Sequence, residues 1–339
     1  MNKPKVVVIG SGSWGFNHVR TFYALPDCEL VGVSDLVEKN LERVKKQFPE
    51  IPVEKDYQKF IKNPEVDVVV IATSAETHFQ IAKDALLNGK HCMVEKPITL
   101  DINEAEELVN LAKERNLTLM VGHLLLYHSA VEYLKKIVDK KSIGDMLYIY
   151  SQRVNLGKVR SKENALWSFA PHDISIMLHL INSNAVKVSA TGQTFLQKRK
   201  GIYDVVFFTI YFKNGVIATG QVSWLDPHKI RKFTIVGSKK MVTFDDMEMR
   251  EKIRIYDKGV DASNVQYDSF AESLILHDGD IKIPKINLSE PLKKEANHFI
   301  DCIINHKTPL SDGQNGLDVL KVLVGAQKSL EQNGQPIEI

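Results

Sequence analysis

The segment "VVVIGSGSWG", residues Val6–Gly15, joins an apolar run to three glycines in the spacing GxGxxG. The first glycine allows a tight turn, the second lets the backbone approach a pyrophosphate, and the third permits close packing of helix on strand. A helix that starts there points its free N–H groups at the anion. The segment therefore predicts a dinucleotide phosphate site formed by Gly10, Ser11, Gly12, Ser13, Trp14 and Gly15.

An acidic residue ends the next apolar run at the distance this fingerprint requires. Asp35 lies 20 residues after Gly15, where a carboxylate can accept hydrogen bonds from both hydroxyls of an adenosine ribose. The same carboxylate repels a 2′-phosphate, so NAD rather than NADP is the predicted cofactor. The alternative is a glycine turn in an α/β protein that binds no nucleotide.

Two later apolar runs end in "ATSAETH" and "EKP". Ligands of open α/β sheets bind beyond the carboxyl ends of the strands, so Thr73, His78, Glu95 and Lys96 join the predicted cofactor site. The Lys96 amine can also hydrogen-bond a substrate hydroxyl, and the proline after it allows a cis bond that would orient the side chain. The alternatives are a surface lysine at Lys96 and a helix-start residue at His78.

His172, in "FAPHDIS", is the candidate for proton transfer. Oxidation of a secondary alcohol needs a base for the hydroxyl proton, and imidazole titrates near neutrality without special surroundings. Lys96 would hold the hydroxyl and stabilise the developing alkoxide while His172 receives the proton. Two alternatives stay open: Lys96 as the base, and His172 as a structural residue of an apolar helix.

The stretch "SQRVNLGKVRSKENALWSFAPHD" carries groups suited to a nucleotide sugar. Arginine forks match phosphate oxygens, and an aromatic ring can stack on a base or sugar face. The predicted substrate residues are His123, Tyr127, Arg153, Arg160, Asn164, Trp167 and Asp173. An exposed basic arm or an oligomer contact is the alternative for the basic residues. Metal-ligand spacing such as HxH or HxxxH with nearby acids is lacking, so no metal is expected.

Two kinds of hydrophobic pattern must position these residues. Apolar runs alternate with helical patterns over residues 1–122, which predicts a Rossmann domain with a parallel sheet covered on both faces. Residues 123–339 show longer strands and a few helices, which predicts an α+β domain with an open, mostly antiparallel sheet. A loop is expected over Asp257–Gly279. The predicted fold class is therefore α/β with two domains.

Composition limits the partners of the chain. The 339 residues carry a net charge of +2, and no long basic run indicates nucleic acid. No apolar stretch approaches the roughly 20 residues that cross a bilayer, and no secretory signal is present. Three well-separated cysteines are typical of free thiols in a reducing compartment, so a cytoplasmic location is expected. Both alternating faces of "YDVVFFTIYF" are apolar, which predicts a homodimer or homotetramer formed through the second sheet.

These motifs together resemble the glucose–fructose oxidoreductase/inositol dehydrogenase/MocA family (Gfo/Idh/MocA) over essentially the whole chain. The resemblance implies a dehydrogenase of sugar or cyclitol hydroxyls that uses a nicotinamide cofactor. It places Lys96 on the reacting hydroxyl and makes His172 the proton acceptor or donor. Family members carry an Asp four residues before that histidine. Here Ser168 occupies the position and Asp173 follows His172, which leaves the role of the Asp open.

The wording "NLGKVR…ENALWSFAPHDIS" is similar to one branch of that family, which oxidises the 3-hydroxyl of UDP-N-acetylglucosamine. The resemblance implies a 3-keto product that a partner aminotransferase converts to a 3-amino sugar for surface glycans. Three alternatives stay open: the UDP-N-acetylglucosaminuronic acid counterpart as substrate, a free sugar or inositol as substrate, and a sensor without turnover.

Overall fold

The computed structural model describes residues 3–268 and 271–339, and the side chains of all of these except residues 260–276. The chain forms two compact units. Unit 1 comprises Met1–Tyr127 and Ser289–Leu320, and unit 2 comprises His128–Leu288 and Lys321–Ile339.

The helices of the described residues are α1 (Gly15–Ala24), α2 (Glu38–Gln47), α3 (Gln58–Ile61), α4 (His78–Leu87), α5 (Ile102–Glu114), α6 (Ser129–Asp139), α7 (Ala165–Ile181), α8 (Pro291–Ile304) and α9 (Gly313–Glu331). The strands are β1 (Lys5–Ile9), β2 (Glu29–Ser34), β3 (Val53–Glu54), β4 (Val68–Ile71), β5 (His91–Glu95), β6 (Leu119–Gly122), β7 (Met146–Val154), β8 (Ala185–Gln193), β9 (Val205–Phe212), β10 (Ile217–Ser223), β11 (Ile230–Gly237), β12 (Met241–Asp245), β13 (Ile253–Asp268), β14 (Ala271–Lys282) and β15 (Ile337–Glu338).

The sheet of unit 1 is parallel and has the strand order β3-β2-β1-β4-β5-β6. Val6, Val7 and Val8 of β1 are fully buried, because helices cover both faces of a parallel sheet and every strand position faces apolar side chains. The order reverses between β1 and β4, which is where such sheets bind dinucleotides. The predicted Rossmann domain is confirmed.

The C-terminal part of unit 1 differs from the predicted division into 1–122 and 123–339. Residues Ser289–Leu320, with α8 and the first part of α9, pack with the N-terminal sheet. The reason is hydrogen bonding beside β6: Val121 N–H donates to the carbonyl of Ser311, and the Ser311 hydroxyl donates to the carbonyl of Val121, both at 2.7 Å. A late segment therefore completes the first domain, a connection that hydrophobic periodicity does not show.

Unit 2 contains a nine-stranded sheet with the order β14-β13-β12-β11-β7-β10-β9-β8-β15. Its pairs are antiparallel except for β7 with β10. Helix α7 packs across β7, β9 and β10. The open, mostly antiparallel sheet of the second domain is therefore confirmed.

The loop expected over Asp257–Gly279 is wrong for the described residues of that range. They form parts of β13 and β14, which pair with each other at one edge of the sheet. Edge strands need little apolar surface, so their polar sequence gave no alternating signal. Residues 269 and 270 of the expected loop lie outside the described residues.

A search of the described part of the chain finds no helix that is both long and apolar enough to span a bilayer.

Candidate functional site

The glycine loop of unit 1 joins β1 to α1 and has the geometry that GxGxxG requires. Gly10 has a φ of +88°, and a side chain there would also lie within 2.6 Å of the Ala72 carbonyl oxygen. A Cβ on Gly15 would collide with the Gly10 carbonyl. A Cβ on Gly12, in contrast, would meet nothing within 4 Å. The open space at Gly12 fits a bound pyrophosphate, since no protein atom explains the glycine there.

Asp35 follows β2 at the same edge of the sheet and contacts the glycine loop directly. Its Oδ2 accepts hydrogen bonds from the Ser11 N–H at 2.6 Å and from the Asn40 amide at 3.0 Å, while Oδ1 accepts from the Val37 N–H at 2.8 Å. The guanidinium of Arg43, on α2, donates to the carbonyls of Ser11 and Gly12. A carboxylate oriented in this way beside the loop is suited to a ribose diol.

Glu95, from the "EKP" segment, is tied to helix α1. Its Oε1 lies 2.6 Å from Nε1 of Trp14 and 2.7 Å from Nε2 of His18. Burial by itself raises the pKa of Glu95, but the hydrogen bond and charge of His18, with the Trp14 donor, outweigh burial and lower it. Position 122 must be glycine beside this carboxylate, because a Cβ there would lie 3.0 Å from it.

His78 and Thr73 connect the loop after β4 to the turn that holds Lys96. The His78 ring is buried, with Nδ1 2.8 Å from the Pro97 carbonyl and Nε2 3.3 Å from the Thr73 carbonyl. Burial lowers the pKa of His78, so the ring is neutral at neutral pH. Lys96 is half-buried and precedes a cis bond to Pro97. These contacts give His78 a positioning role for the turn, and its predicted cofactor contact stays a prediction.

His123 and Tyr127, predicted to bind substrate, are both buried in unit 1. The Tyr127 hydroxyl lies 3.0 Å from the Ser311 hydroxyl, so it has a partner inside the unit. Neither ring nitrogen of His123 has a hydrogen-bond partner. Burial lowers the pKa of His123 to about 4, although the charge of Glu95 opposes the shift. A neutral imidazole with both nitrogens free is a candidate contact for a ligand.

Glu295, on α8, is a buried acid that the sequence analysis missed. Its side chain is fully buried, and neither carboxylate oxygen has a hydrogen-bond partner. Burial, and then the charge of Glu95, raise the pKa of Glu295 well above its usual value, so the carboxyl is protonated. One signal was available: Leu292, Ala296 and Phe299 form the apolar stripe of α8, and an acid within such a stripe is exceptional.

In unit 2, two predicted substrate residues pair with each other instead of lying free. Arg153, on β7, donates from Nε to Oδ1 of Asp173 at 2.6 Å, and Ser151 donates to Oδ2 at 3.1 Å. Asp173 is fully buried. The pair attaches α7 to the sheet, a structural task that explains both residues without a ligand.

Asn164 and Trp167 also have an internal partner. Asn164 caps α7 by accepting from the Trp167 N–H at 3.2 Å, and both side chains donate to Oε1 of Gln327 on α9, at 2.9 and 3.2 Å. Arg160 lies in the exposed arm before α7, where Nε is 3.5 Å from Oε1 of Glu163. Of these residues, Arg160 has the most exposed functional group.

His172 is half-buried on α7, directly after Pro171. Asp173, its neighbour, turns inward to Arg153, as the roughly 100° rotation per helical residue requires. Ser168, at the position where the resemblance expects an Asp, is buried, and its hydroxyl lies 3.4 Å from Oε1 of Glu163. A search of the side chains described in both units finds no group of three or more His, Cys, Asp or Glu arranged to hold a metal ion.

A second residue that the sequence analysis missed is Arg231, on β11. Its guanidinium donates to the carbonyl of Val154 at 3.0 Å and to Oδ1 of Asn155 at 2.7 Å. It also lies 5.5 Å from the centre of the Phe169 ring, on α7. No sequence pattern distinguished this arginine from the chain's other basic residues.

The comparisons with known proteins agree with this geometry. Residues 4–123 match the model of the Gfo/Idh/MocA oxidoreductase family with an NAD-binding Rossmann fold, and residues 131–243 match that of the Gfo/Idh/MocA C-terminal domain. The chain is 27% identical to a UDP-N-acetylglucosamine 3-dehydrogenase of Acidithiobacillus ferrooxidans, over 96% of each chain. It is 24% identical to a scyllo-inositol 2-dehydrogenase (NAD(+)) of Bacillus subtilis, over 99% of this chain and 96% of the relative.

Solved structures show the same fold. The UDP-N-acetylglucosamine 3-dehydrogenase of Acidithiobacillus ferrooxidans superposes with a TM-score of 0.82 at 25% identity, covering 98% of this chain and 99% of the other. The apo scyllo-inositol dehydrogenase of Lactobacillus casei gives a TM-score of 0.83 at 20% identity, covering 99% and 98% of the two chains. The second likeness concerns the fold alone.

Proposed function

Since the chain belongs to the Gfo/Idh/MocA family of NAD-binding oxidoreductases, which act on CH–OH groups, we propose that it oxidises the 3-hydroxyl of UDP-N-acetylglucosamine. The product would be the 3-keto sugar, the substrate for an aminotransferase. One observation carries the choice of substrate: the match to a UDP-N-acetylglucosamine 3-dehydrogenase extends over 96% of both chains. The exposed basic arm with Lys158 and Arg160 suits a diphosphate better than a bare cyclitol.

The chain's own residues have distinct tasks in this proposal. Asp35 and the glycine loop would hold the ribose and pyrophosphate of NAD, which accepts the hydride when bound. Lys96 donates a hydrogen bond to the substrate hydroxyl and stabilises the negative charge that develops on its oxygen. His172 receives the hydroxyl proton. The reverse assignment, with Lys96 as the base, would give a rate that depends on the lysine pKa instead of the histidine pKa.

The experiment is an assay of the purified full-length chain with NAD and UDP-N-acetylglucosamine. An aminotransferase and glutamate are added to remove the ketone, because its equilibrium is unfavourable. We expect NADH and the 3-amino sugar to accumulate together. The same assay with UDP-N-acetylglucosaminuronic acid, scyllo-inositol and myo-inositol separates the alternatives. NADH formed with an inositol and none with either nucleotide sugar would refute the proposed substrate.

Inositol oxidation is the second candidate, because a scyllo-inositol 2-dehydrogenase is nearly as similar to the chain, at 24% identity. A sensor without turnover is the least favoured, since both Lys96 and His172 are present. For a nucleotide sugar as substrate, we further propose action in the cytoplasm, where UDP sugars are made. Fractionation of cells that produce the protein tests that location.

We also propose that a second copy of the chain covers the sheet of unit 2. Tyr148 and Tyr150 of β7, Phe207 of β9 and Ile217 of β10 are exposed, and Tyr148 is paired with Ile217 across strands. An apolar face of this kind is typical of an interface. Light scattering on Tyr150→Lys should show a smaller assembly than wild type. The control Met249→Lys changes another exposed apolar residue and should leave the assembly intact.

A further inference from the structure

Two arginines of unit 2 lie opposite each other on neighbouring strands. The antiparallel register of β7 and β11 pairs Arg153 with Arg231. Side chains of directly opposite residues point to the same face of a sheet. Arg153 meets Asp173 of α7, and Arg231 lies over Phe169 of the same helix. Both arginines therefore face α7.

The two arginines differ in how their charge is balanced. Arg153 has Asp173 as its counter-ion. Arg231 donates to three uncharged oxygens, those of Val154, Ile230 and the Asn155 side chain. Among the side chains that the structure describes, none forms an ion pair with Arg231.

A second acid acts on Arg231 electrostatically but has its own cation. The charge of Asp246 favours the charged form of Arg231, yet Asp246 Oδ1 lies 3.4 Å from Nζ of Lys252. Pairing Arg153 with Asp173 and Lys252 with Asp246 leaves the charge of Arg231 over. Burial, and then the charge of Arg153, lower the pKa of Arg231 to about 10. A half-buried cation without a counter-ion is costly, and a bound anion would remove that cost.

We propose that Arg231, together with Asn155, forms a subsite for an anionic oxygen of the nucleotide sugar, either of its diphosphate or of a sugar carboxylate. The inference rests on the proposed function for the identity of the ligand. The guanidinium uses part of its donor fork on Val154, Ile230 and Asn155, and its remaining N–H groups suit a phosphate or carboxylate.

The position of this subsite on the helix fits the chemistry. Phe169 and His172 are three residues apart on α7 and therefore share a side of the helix. Arg231 contacts that side through Phe169. The basic arm also starts at this point, because Asn155 is the first residue after β7. An anion on Arg231 would thus be held near both the arm and the proposed proton acceptor.

The test is calorimetric titration of the full-length protein, in the presence of NAD, with UDP, UDP-N-acetylglucosamine, UDP-N-acetylglucosaminuronic acid and inorganic pyrophosphate. Arg231→Gln removes the charge. Asn155→Asp keeps the local shape and supplies a competing carboxylate 2.7 Å from the guanidinium. The control is Arg254→Gln, because Arg254 is a more exposed arginine that is paired with Glu251.

We expect Arg231→Gln and Asn155→Asp each to weaken binding by about 10- to 100-fold, the value of a charge-assisted hydrogen bond. Arg254→Gln should bind like wild type, and all variants should bind NAD equally. Equal losses for UDP and both sugars identify the diphosphate as the anion. A loss confined to the uronate identifies the sugar carboxylate.

Two results overturn the inference or separate it from the proposed function. Wild-type affinity of Arg231→Gln for every ligand overturns it. If the wild type binds neither nucleotide sugar nor UDP, the proposed function fails, and the pyrophosphate titration decides the subsite alone. Pyrophosphate binding that Arg231→Gln loses supports the subsite, and absent or unchanged binding refutes it.

Discussion

Arg153 and Asp173 form a buried ion pair in which Nε of the arginine lies 2.6 Å from Oδ1 of the aspartate. Removing one partner leaves the other charge buried and uncompensated. We therefore expect Arg153→Met to lower the free energy of unfolding by about 3–5 kcal/mol, measured by urea denaturation. The substitution removes the charge while keeping much of the apolar stem.

The double variant Arg153→Met/Asp173→Leu separates structure from substrate binding. With neither charge present, most of the lost stability should return, because paired buried charges are often replaceable by apolar side chains. A substrate role for Arg153 would give the opposite pattern. Arg153→Met would then unfold like wild type and show only a higher KM for the sugar.

Cofactor choice is expected to depend on Asp35 and its neighbour Arg43. Asp35→Ala removes a charged acceptor of ribose hydroxyls, so we expect the ratio of kcat/KM for NAD over NADP to fall by at least about 10-fold. Arg43, which already contacts Ser11 and Gly12, is placed to accept a 2′-phosphate. Steady-state kinetics with both cofactors measures the change.

Two further variants test this explanation. Asp35→Ala/Arg43→Met should lose the gained NADP activity while NAD activity stays low. Asp35→Asn keeps the size of the side chain and should still shift the ratio towards NADP, because the negative charge is gone. An unchanged ratio in Asp35→Ala would refute the assignment of Asp35 to the ribose.

The sequence predicted those parts of the fold and site that depend on local pattern. GxGxxG spacing, the position of Asp35 and the alternation of strand and helix all arise within about 35 residues, and the structure has the Rossmann unit they imply. The start of α5 was also local, because Asp101 caps it by accepting from the N–H of Asn103 at 2.8 Å.

Long-range pairing explains what the sequence could not predict. Arg153 and Asp173 are 20 residues apart, so nothing local showed that they neutralise each other instead of awaiting a ligand. Asn164 and Trp167 find Gln327 more than 150 residues later. Polar residues grouped in sequence appeared to form one substrate surface, whereas the folded chain gives several of them internal partners.

Glu295 is expected to make stability depend on pH. Its pKa is raised by burial in the folded state, so above the pKa of an unfolded glutamate the folded protein holds one more proton. Stability then falls as pH rises, by about 1.4 kcal/mol per pH unit until the folded pKa is reached. Glu295→Gln should abolish this slope and unfold at higher temperature at neutral pH.

Thermal unfolding between pH 5 and 8 measures the difference between variant and wild type. Glu290→Gln is the matched control, because Glu290 is exposed at the start of the same helix, and it should follow the wild-type curve. Parallel curves for wild type and Glu295→Gln would show that the carboxyl is ionised in the folded protein.

Lys96 is expected to affect turnover without affecting cofactor affinity. The half-buried lysine lies next to Glu95, on the turn whose carbonyl at Pro97 is held by His78. Lys96→Met keeps the length of the side chain but removes the donor to the substrate hydroxyl, so kcat should fall by about 100-fold or more. NAD affinity, measured by fluorescence titration, should change less than about 3-fold, since a contact with one hydroxyl of the substrate is lost. Lys83→Met is the control, because Lys83 is paired with Glu107 on the surface of the same unit, and it should retain wild-type kcat. Equal kcat in Lys96→Met and Lys83→Met would exclude Lys96 from the reaction.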